Sequence, residues 1–544
     1  MPNDPVTARS TEESRPVLDD AHLGDIRGAL GTIKRNELPP RRAWTKRLAA
    51  LAAIMGPGLI VMVGDNDAGG VSTYAQAGQN YGTSVMWVLV LLVIVLMVSQ
   101  EMVVRLGAVT GVGHGRLIKE RFGALWAGFS VVDLVILNFA TLMTEFIGVG
   151  FALSYFGVSP YISVPLSAAG LIAMTVSGSF QRWERAMYVL VVSNLAVFPL
   201  ALMAHPTARP ILAGTLVPGV AGGFNSTSVL FLIAVVGTTV APWQLFFQQS
   251  NIVDKRITPR WINYERADTF IGAIFTNMSA AAIMVVGAFA LYHSSFRGHF
   301  VNALDTIRAV RNQIGPVAGD FFAIVLLDAS LLGAAAVTLS ISYAIGDSFG
   351  TKHSLHRSWR EAKAFYGTFA AIVALAAGLV LIPRAPLGII TEAVQALAGV
   401  LLPSAIIFLL MLCNDREVLG PWVNPRWLNA LASVIVAALV GLSLILMITT
   451  MFPWINVTLI AETIAGILVL VLLGLGAGSL RKTKTRVPKA SAEDRARWTM
   501  PPLALLERPH WSPGRRTIMY LLRGYLLLAV ALLAVKTAQL GFGH

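Results

Sequence analysis

Residues 56–78 read GPGLIVMVGDNDAGGVSTYAQAG, an apolar stretch that carries the carboxylates Asp65 and Asp67 beside the glycines Gly69 and Gly70. Charged side chains inside a membrane span are costly and commonly mark a binding site. Glycines there can free backbone carbonyls, which is tolerated only where the chain lines protein or water. The stretch therefore predicts an interrupted first helix with a cation-binding site at its centre. The alternative is a kinked helix whose acids pair with a basic residue of a neighbouring helix.

The composition indicates a membrane protein. The 544 residues are 55% hydrophobic and 13% charged, which is too apolar for a soluble chain of this length. Apolar runs of about 20 residues, enough to cross a bilayer, recur throughout the chain. We therefore expect an all-α polytopic protein embedded in the lipid bilayer. The predicted spans are 51–75, 84–106, 125–155, 161–179, 184–204, 228–250, 268–293, 320–347, 365–383, 389–412, 428–450 and 457–478.

The positive charges predict the orientation of these spans. The formal net charge is +13, and most lysines and arginines fall in alternate loops, on the same side as the N-terminal tail. Because positive loops stay in the cytoplasm, the N-terminus is predicted to be cytoplasmic, in a bacterial plasma (inner) membrane. Orientation in the membrane thus explains the charge, and no nucleic-acid partner is expected.

Three regions follow from these patterns. Residues 1–47 are polar and are predicted to be a disordered cytoplasmic tail without a signal peptide. Residues 48–478 are predicted to be a transmembrane domain of about twelve helices. Residues 479–544 are predicted to be a basic linker followed by a thirteenth or membrane-associated helix at about 517–540.

The sixth predicted span is also interrupted. It reads VLFLIAVVGTTVAPWQLFFQQSN over residues 229–251, with Gly237 and Pro242 near its centre. A proline inside a helix removes one backbone donor and frees a carbonyl one turn earlier. Broken helices at matching positions of two five-helix halves predict inverted repeats, about 48–204 and 228–412, with a midplane site between them. An ordinary proline kink is the alternative for this span taken alone.

Four blocks in register resemble the NRAMP divalent-metal transporters. They are GPGLIVMVGDNDAGG (56–70), ATLMTEFIGVG (140–150), VGTTVAPWQL (236–245) and LLPSAIIFLLMLCNDREVLG (401–420). The resemblance implies a LeuT-like fold in which helices 1 and 6 are unwound around a metal. It also implies a transporter and not an enzyme, and no cofactor besides the transported ion. The sequence contains no zinc-protease or serine-hydrolase motif that would indicate catalysis.

The resemblance supplies most of the candidate site. Asp67 keeps the aspartate of the first-helix motif, and the Thr238 carbonyl falls where the family uses a backbone oxygen. A glutamine of the family falls at Gln395, although such residues more often join helices. The expected metal-site residues are Asp67, Gly70, Thr238, Ala241 and Gln395. Asp65, Gln244 and Glu145 are expected to lie just outside them, where they support the ligands or gate the site.

Departures from the family's pattern predict a different ion. Gly70 replaces an asparagine and Ala241 replaces a methionine, a soft ligand that favours transition metals. Small residues enlarge the cavity and leave fewer direct ligands, although they also serve helix contacts. Mg²⁺ keeps several waters and is commonly held by one or two carboxylates. The pattern resembles the NRAMP-related magnesium transporter branch, with Mn²⁺ as a plausible second substrate and a monomer as the expected assembly.

Further departures concern protons. Two helix-6 histidines of the family fall at Trp243 and Gln248, and its helix-3 aspartate falls at Leu142, whereas Glu145 is kept. Because intramembrane His and Asp commonly relay protons, we expect transport that is not proton-coupled. The alternative is a proton-coupled Mn²⁺ or Fe²⁺ importer with substituted ligands. A sodium-coupled symporter of organic anions is disfavoured, since Asp67 would repel its substrate.

Overall fold

The computed structural model describes residues 19–40, 43–383, 385–452, 454–481 and 491–506, together with residues 520, 523–525, 527–528 and 531. In this part of the chain a single β-hairpin precedes a large helical bundle. The helices are α1 (Trp44–Ile54), α2 (Pro57–Val63), α3 (Ala68–Tyr81), α4 (Trp87–Thr110), α5 (His114–Phe122), α6 (Ala124–Tyr155), α7 (Pro160–Val176), α8 (Phe180–Ser193), α9 (Val197–Met203), α10 (Ala208–Leu216), α11 (Ser226–Thr239), α12 (Pro242–Asp254), α13 (Ile262–Ala290), α14 (Ala303–Gln313), α15 (Pro316–Phe349), α16 (Lys363–Val380), α17 (Leu387–Cys413), α18 (Arg416–Leu419), α19 (Arg426–Met451), α20 (Val457–Arg481) and α21 (Ala492–Arg497).

The long helices have the dimensions of membrane spans. Among the described residues, ten helices are long and apolar enough to cross a bilayer, or eleven when the bent pair α1–α2 counts as one span. The shorter apolar helix α7 lies at the predicted fourth span. Large apolar side chains on the outside of the bundle, such as Leu166, Leu202 and Leu470, are each 70% exposed, as expected of a surface that faces lipid. A helix therefore lies at each of the twelve predicted spans.

Two spans are broken, as the sequence predicts. Residues 64–67 separate α2 from α3, and residues 240–241 separate α11 from α12. Pro242 occupies the first position of the helix after the second break, and Pro57 the first position of α2, the helix before the first break; a missing N–H costs little at either place. The apolar centre of α11–α12 is wholly buried and that of α15 is 83% buried, whereas that of α20 is only 6% buried. Both breaks therefore lie in the core of the bundle and do not face the lipid.

The predicted disordered tail is partly folded, which corrects the prediction for residues 1–47. Strands β1 (Ile26–Gly28) and β2 (Gly31–Ile33) pair antiparallel, with Ile26 opposite Ile33. Both isoleucines are 4% exposed and pack on the core with Ala53 of α1. The first residues of the tail, 1–18, lie outside the described part of the chain. Burial of a short apolar face against the bundle explains why this polar segment is ordered.

An ion pair fastens the start of this segment. Asp19 accepts hydrogen bonds from the guanidinium of Arg357, with 2.5 Å between Asp19 Oδ1 and Arg357 Nη2. Burial alone would raise the pKa of Asp19, but the hydrogen bonds from Arg357 and from the backbone of Ala21 lower it to about 2. The face of the bundle that carries residues 19–40 is named the N-terminal face below, and the opposite one the distal face.

The predicted thirteenth helix at about 517–540 lies mostly outside the described residues. Of its described residues, Tyr520 lies 5.9 Å from Trp126 between ring centroids, and the Arg523 guanidinium lies 5.4 Å from the centre of the Phe129 ring. This part of the C-terminal region therefore packs against α6.

Candidate functional site

The first break places a carboxylate at the start of a helix. α2 ends at Val63, and α3 begins at Ala68, directly after Asp67. Asp67 Oδ1 accepts a hydrogen bond of 2.7 Å from the backbone N–H of Gly70. Unpaired N–H groups at a helix N-terminus stabilise a negative charge, so the Asp67 carboxylate is held in place although it is only 3% exposed.

A second carboxylate, that of Glu145 on α6, meets the same helix end. Glu145 Oε2 accepts a hydrogen bond of 3.0 Å from the N–H of Ala68, and the carboxyl groups of Glu145 and Asp67 face each other. Both lie against Gly333 of α15. A Cβ at position 333 would lie 2.8 Å from Glu145 Oε2 and 2.9 Å from Asp67 Cβ. The glycine therefore leaves the space that two neighbouring carboxylates need.

A third carboxylate belongs to a chain of amides. Gln244 on α12 donates a hydrogen bond from Nε2 to Asp65 Oδ1, and Gln100 on α4 donates one of 3.1 Å to Gln244 Oε1. The other carboxylate oxygen, Asp65 Oδ2, is buried and has no hydrogen-bond partner. Gln244 thus connects the broken first span to the broken sixth span, and one Asp65 oxygen is left for another ligand.

The second break leaves a backbone carbonyl without a hydrogen-bond donor. Because Pro242 has no N–H, the carbonyl of Thr238, four residues earlier, lacks its helical donor. The Thr238 hydroxyl is also buried without a partner. Ala241 is the residue directly before α12, and its carbonyl accepts a hydrogen bond of 3.2 Å from the N–H of Gln244. The break therefore offers oxygen atoms beside a small side chain.

Gly70 lies where the two breaks approach each other. A Cβ at position 70 would lie 3.1 Å from the backbone oxygen of Asp65 and 3.2 Å from Thr238 Oγ1. A larger side chain would point into this space and crowd the two oxygens. Glycine at position 70 therefore allows the first and sixth spans to approach closely here.

Gln395 on α17 closes the distal side of this gap. A Cβ at position 69 would lie only 1.7 Å from Gln395 Nε2, so the amide occupies the volume that a side chain on Gly69 would take. Gln395 is 2% exposed, and its Nε2 has no hydrogen-bond acceptor. Its amide can therefore turn toward a ligand without breaking an existing hydrogen bond.

These contacts bring the predicted site residues into one buried region between the two breaks. Among the predicted site residues, the buried side-chain oxygens without a partner are Asp65 Oδ2, Glu145 Oε1 and Thr238 Oγ1. No lysine, arginine or histidine in the described ranges forms an ion pair with the three carboxylates. Nor do three or more His, Cys, Asp or Glu side chains in those ranges converge as a closed metal cage. The region therefore offers buried oxygen atoms and uncompensated carboxylates to a cation.

Positions where the family pattern has other residues lie around this region. Gln248 donates a hydrogen bond of 2.8 Å to Thr269 Oγ1 on α13, and so it serves a contact between helices. Leu142 and Trp243 are fully buried. Three contributors were missed by sequence reasoning: Gln100, Gly333 and Asn66, whose Nδ2 donates to the Thr276 carbonyl at 3.0 Å. A polar Gln100 inside an apolar span was a usable signal, whereas Gly333 carried none.

A helical bundle whose first and sixth spans break around buried carboxylates is typical of membrane transporters with a LeuT-like fold. The chain belongs to the family described as natural resistance-associated macrophage protein-like (Nramp), whose family model matches residues 58–449. This is a family of transporters and not of enzymes.

Relatives and solved structures agree with this assignment. The divalent metal cation transporter MntH 1 of Pseudomonas aeruginosa is 28% identical over 407 residues, which cover 71% of this chain and 89% of that protein. MntH of Bacillus subtilis is 25% identical over 471 residues, 83% of this chain and 100% of that protein. A crystal structure of a mutant Eremococcus coleocola manganese transporter matches with a TM-score of 0.62 and 19% identity, covering 84% of this chain and 97% of that one. At this identity the structural match shows the fold.

Proposed function

We propose that this protein transports divalent metal cations, Mg²⁺ and also Mn²⁺, by alternating access and without proton coupling. The observation that carries the proposal is the buried group of Asp65, Asp67 and Glu145, which has no basic partner in the described part of the chain. Uncompensated carboxylates at this depth are unfavourable unless a cation neutralises them. The relatives named as divalent metal cation transporters support a divalent cargo.

The choice of Mg²⁺ rests on the kind of ligand and on space. Carboxylate, carbonyl and water oxygens are the ligands that Mg²⁺ and Mn²⁺ prefer, whereas thioether sulfur selects softer metals. Ala241 offers no sulfur, and Gly70 places no side chain between the two spans. Asp67, with the free oxygens of Asp65 and Thr238, would hold a partly hydrated ion. Gln395 and Gln244 would hold its waters.

The membrane potential can drive this transport alone. Moving one charge across 100 mV releases about 2.3 kcal/mol, so a divalent cation gains about 4.6 kcal/mol. Since 1.4 kcal/mol corresponds to a factor of ten, accumulation of about three orders of magnitude follows. A potential that is negative inside the cell draws cations inward. The N-terminal face would then be cytoplasmic, and the distal face would open to the outside of a bacterial plasma membrane. The protein would act as a monomer.

A proton-coupled Mn²⁺ or Fe²⁺ importer is the second candidate, and one contact favours it. The carboxyl groups of Glu145 and Asp67 face each other, and two carboxyl groups in contact can share a proton. A cation arriving at Asp67 would then expel that proton toward Glu145. This route would replace the histidines and the aspartate that the sequence lacks.

Ion competition separates the two candidates. Uptake of a trace of Mn²⁺ would be measured in cells that express the protein, in the presence of excess Mg²⁺, Cd²⁺ or Fe²⁺. We expect a hundredfold excess of Mg²⁺ to inhibit uptake strongly and Cd²⁺ to inhibit it weakly. Uptake that ignores Mg²⁺ and is blocked by Cd²⁺ or Fe²⁺ would establish the second candidate instead. Cells carrying Asp67→Ala give the background.

A further inference from the structure

A small polar cavity lies between α3 and α17 on the distal side of Gln395. It measures about 10 Å³, close to the minimum that admits one water molecule. A Cβ at Gly388 would lie 2.1 Å from the Val301 carbonyl, so the loop before α14 covers the start of α17. The polar residues that line the cavity are Ser72, Thr73, Gln76, Asn302, Thr391 and Glu392.

The cavity lies on the side of α3 that faces Gln395. Gly69, which lies against Gln395, is followed by Ser72, Thr73 and Gln76 at positions i+3, i+4 and i+7, so these residues lie along one side of α3. At 1.5 Å per residue, Gln76 lies roughly 14 Å along the helix from Asp67. On α17, Glu392 precedes Gln395 by about one turn. Polar groups on two facing helices therefore connect the cavity with the site.

The chemistry of the lining suits a cation. The hydroxyl of Ser72 donates to the Ala68 carbonyl at 2.8 Å, and that of Thr391 donates to the Leu387 carbonyl at 2.9 Å. Each hydroxyl has a single proton, so these two present only acceptor lone pairs to the cavity. The half-buried Glu392 carboxylate interacts with Gln76, and no described basic residue forms an ion pair with it. Oxygen acceptors and an unneutralised charge therefore meet in one space.

We propose that Glu392, Gln76 and Thr391 form an outer binding site that captures a hydrated divalent cation before Gln395 admits it to Asp67. The proposal rests on the proposed function for the identity of the cargo. A carboxylate at the mouth of a low-dielectric passage raises the local concentration of cations and their rate of association. The cation would keep most of its water here, because the walls offer only one carboxylate, and the cavity, which admits about one water molecule in this conformation, would widen to take it.

Thiol protection tests binding without relying on transport. The only cysteine, Cys413, is fully buried, so a cysteine introduced at Phe300 on the cavity wall can be followed alone. In the full-length protein carrying Phe300→Cys, we expect millimolar Mg²⁺ or Mn²⁺ to slow modification by a cationic thiol reagent several-fold. Adding Glu392→Gln should abolish that protection. The control is Glu462→Gln, which removes an exposed carboxylate near the start of α20. Adding this substitution should leave the protection intact.

Uptake kinetics complete the test. Glu392→Gln should raise the half-saturating concentration of the cation about three- to tenfold, and more strongly at low ionic strength, whereas Glu462→Gln should not. The outer site would be overturned if divalent cations left the rate of thiol modification unchanged, or if Glu392→Gln left the half-saturating concentration unchanged. Failure of the proposed function would be recognised differently, by protection without any uptake of Mg²⁺ or Mn²⁺.

Discussion

Two groups of buried carboxylates in this molecule differ in one respect. Near the N-terminal face, Glu184, Glu265 and Asp268 surround Lys255, whose Nζ lies 2.6 Å from Glu184 Oε1, with both side chains fully buried. At the broken first span, Asp65, Asp67 and Glu145 are buried just as deeply. No described basic residue pairs with them. One group carries its own cation, and the other has none.

The difference separates a structural role from a transport role. Asp268 accepts hydrogen bonds from the N–H groups of Gly56 and Gly58, at 3.0 and 2.8 Å, so the first group fixes the start of α2. Gly56 has φ +142°, and a Cβ there would collide with Glu184 Oε1, so glycine is required where the ion pair passes. In the second group a permanent lysine would compete with the cargo. A transport site must be neutralised by what it carries.

The largest effect is expected from removing the built-in cation. Lys255→Met would leave three buried carboxylates without a positive partner, and breaking a buried ion pair typically costs about 3–5 kcal/mol. We expect a large fall in the thermal unfolding temperature of the purified protein. The double variant Lys255→Met, Glu184→Gln should recover part of the loss. If Lys255→Met is as stable as the unmodified protein, the carboxylates around Lys255 do not depend on a built-in cation, and the contrast with the carboxylates at the first break fails.

Removing a carboxylate from the site should affect transport and spare the fold. Asp67→Ala should lower the uptake rate by about 100-fold or more, since even loss of a group that only supports a metal ligand typically costs about 10- to 100-fold. Its thermal unfolding temperature should stay the same or rise, because an unpaired buried charge is lost. Loss of stability together with uptake would mean that Asp67, like Asp268, mainly holds the fold.

Restoring a soft ligand would sharpen the comparison. In Ala241→Met, a thioether would enter the break in the sixth span, and we expect uptake to shift toward Cd²⁺ relative to Mg²⁺ by about tenfold. Ala241→Leu controls for volume without sulfur. If both variants lose Mg²⁺ uptake and neither gains Cd²⁺ uptake, position 241 sets the size of the cavity alone.

The smallest effect concerns pH at the N-terminal face. Burial lowers the pKa of His353, but the neighbouring Asp347 carboxylate, 2.9 Å from Nε2, raises it more, to about 9. Because the unfolded-state pKa is about 6.5, this pair stabilises the fold fully below pH 6.5 and loses its contribution as the pH rises toward 9. The unfolding temperature should fall across that window, and His353→Gln should flatten the fall. A flat profile in the unmodified protein would refute the pairing.

The sequence predicted the broad architecture because it depends on local patterns. Apolar runs located the spans, and Gly69, Gly70 and Pro242 located both breaks. The ordered segment at residues 26–33 was missed, because its two short strands are held by burial of two isoleucines against α1 and by the contact of the Ala29 N–H with Glu184. Such contacts join residues far apart in the chain and leave no local signal.

The candidate site could likewise be predicted only in part from the sequence. Asp67 stands out because a carboxylate in an apolar stretch is unusual, and the structure places it at the start of α3. The contact of Glu145 with the Ala68 N–H, and the space that Gly333 leaves for it, depend on how α6 and α15 approach each other. Sequence reasoning could therefore name Glu145 but not its position directly against Asp67.

The most direct test of the account follows ion and proton together. The purified protein in proteoliposomes would be given an imposed negative-inside potential, with Mg²⁺ or Mn²⁺ outside, while internal pH is recorded. The account predicts that Mg²⁺ accumulates without internal acidification and that Asp67→Ala stops it. Mn²⁺ accumulation with acidification, and no movement of Mg²⁺, would contradict it and show that a proton on Glu145 neutralises the site between cargoes.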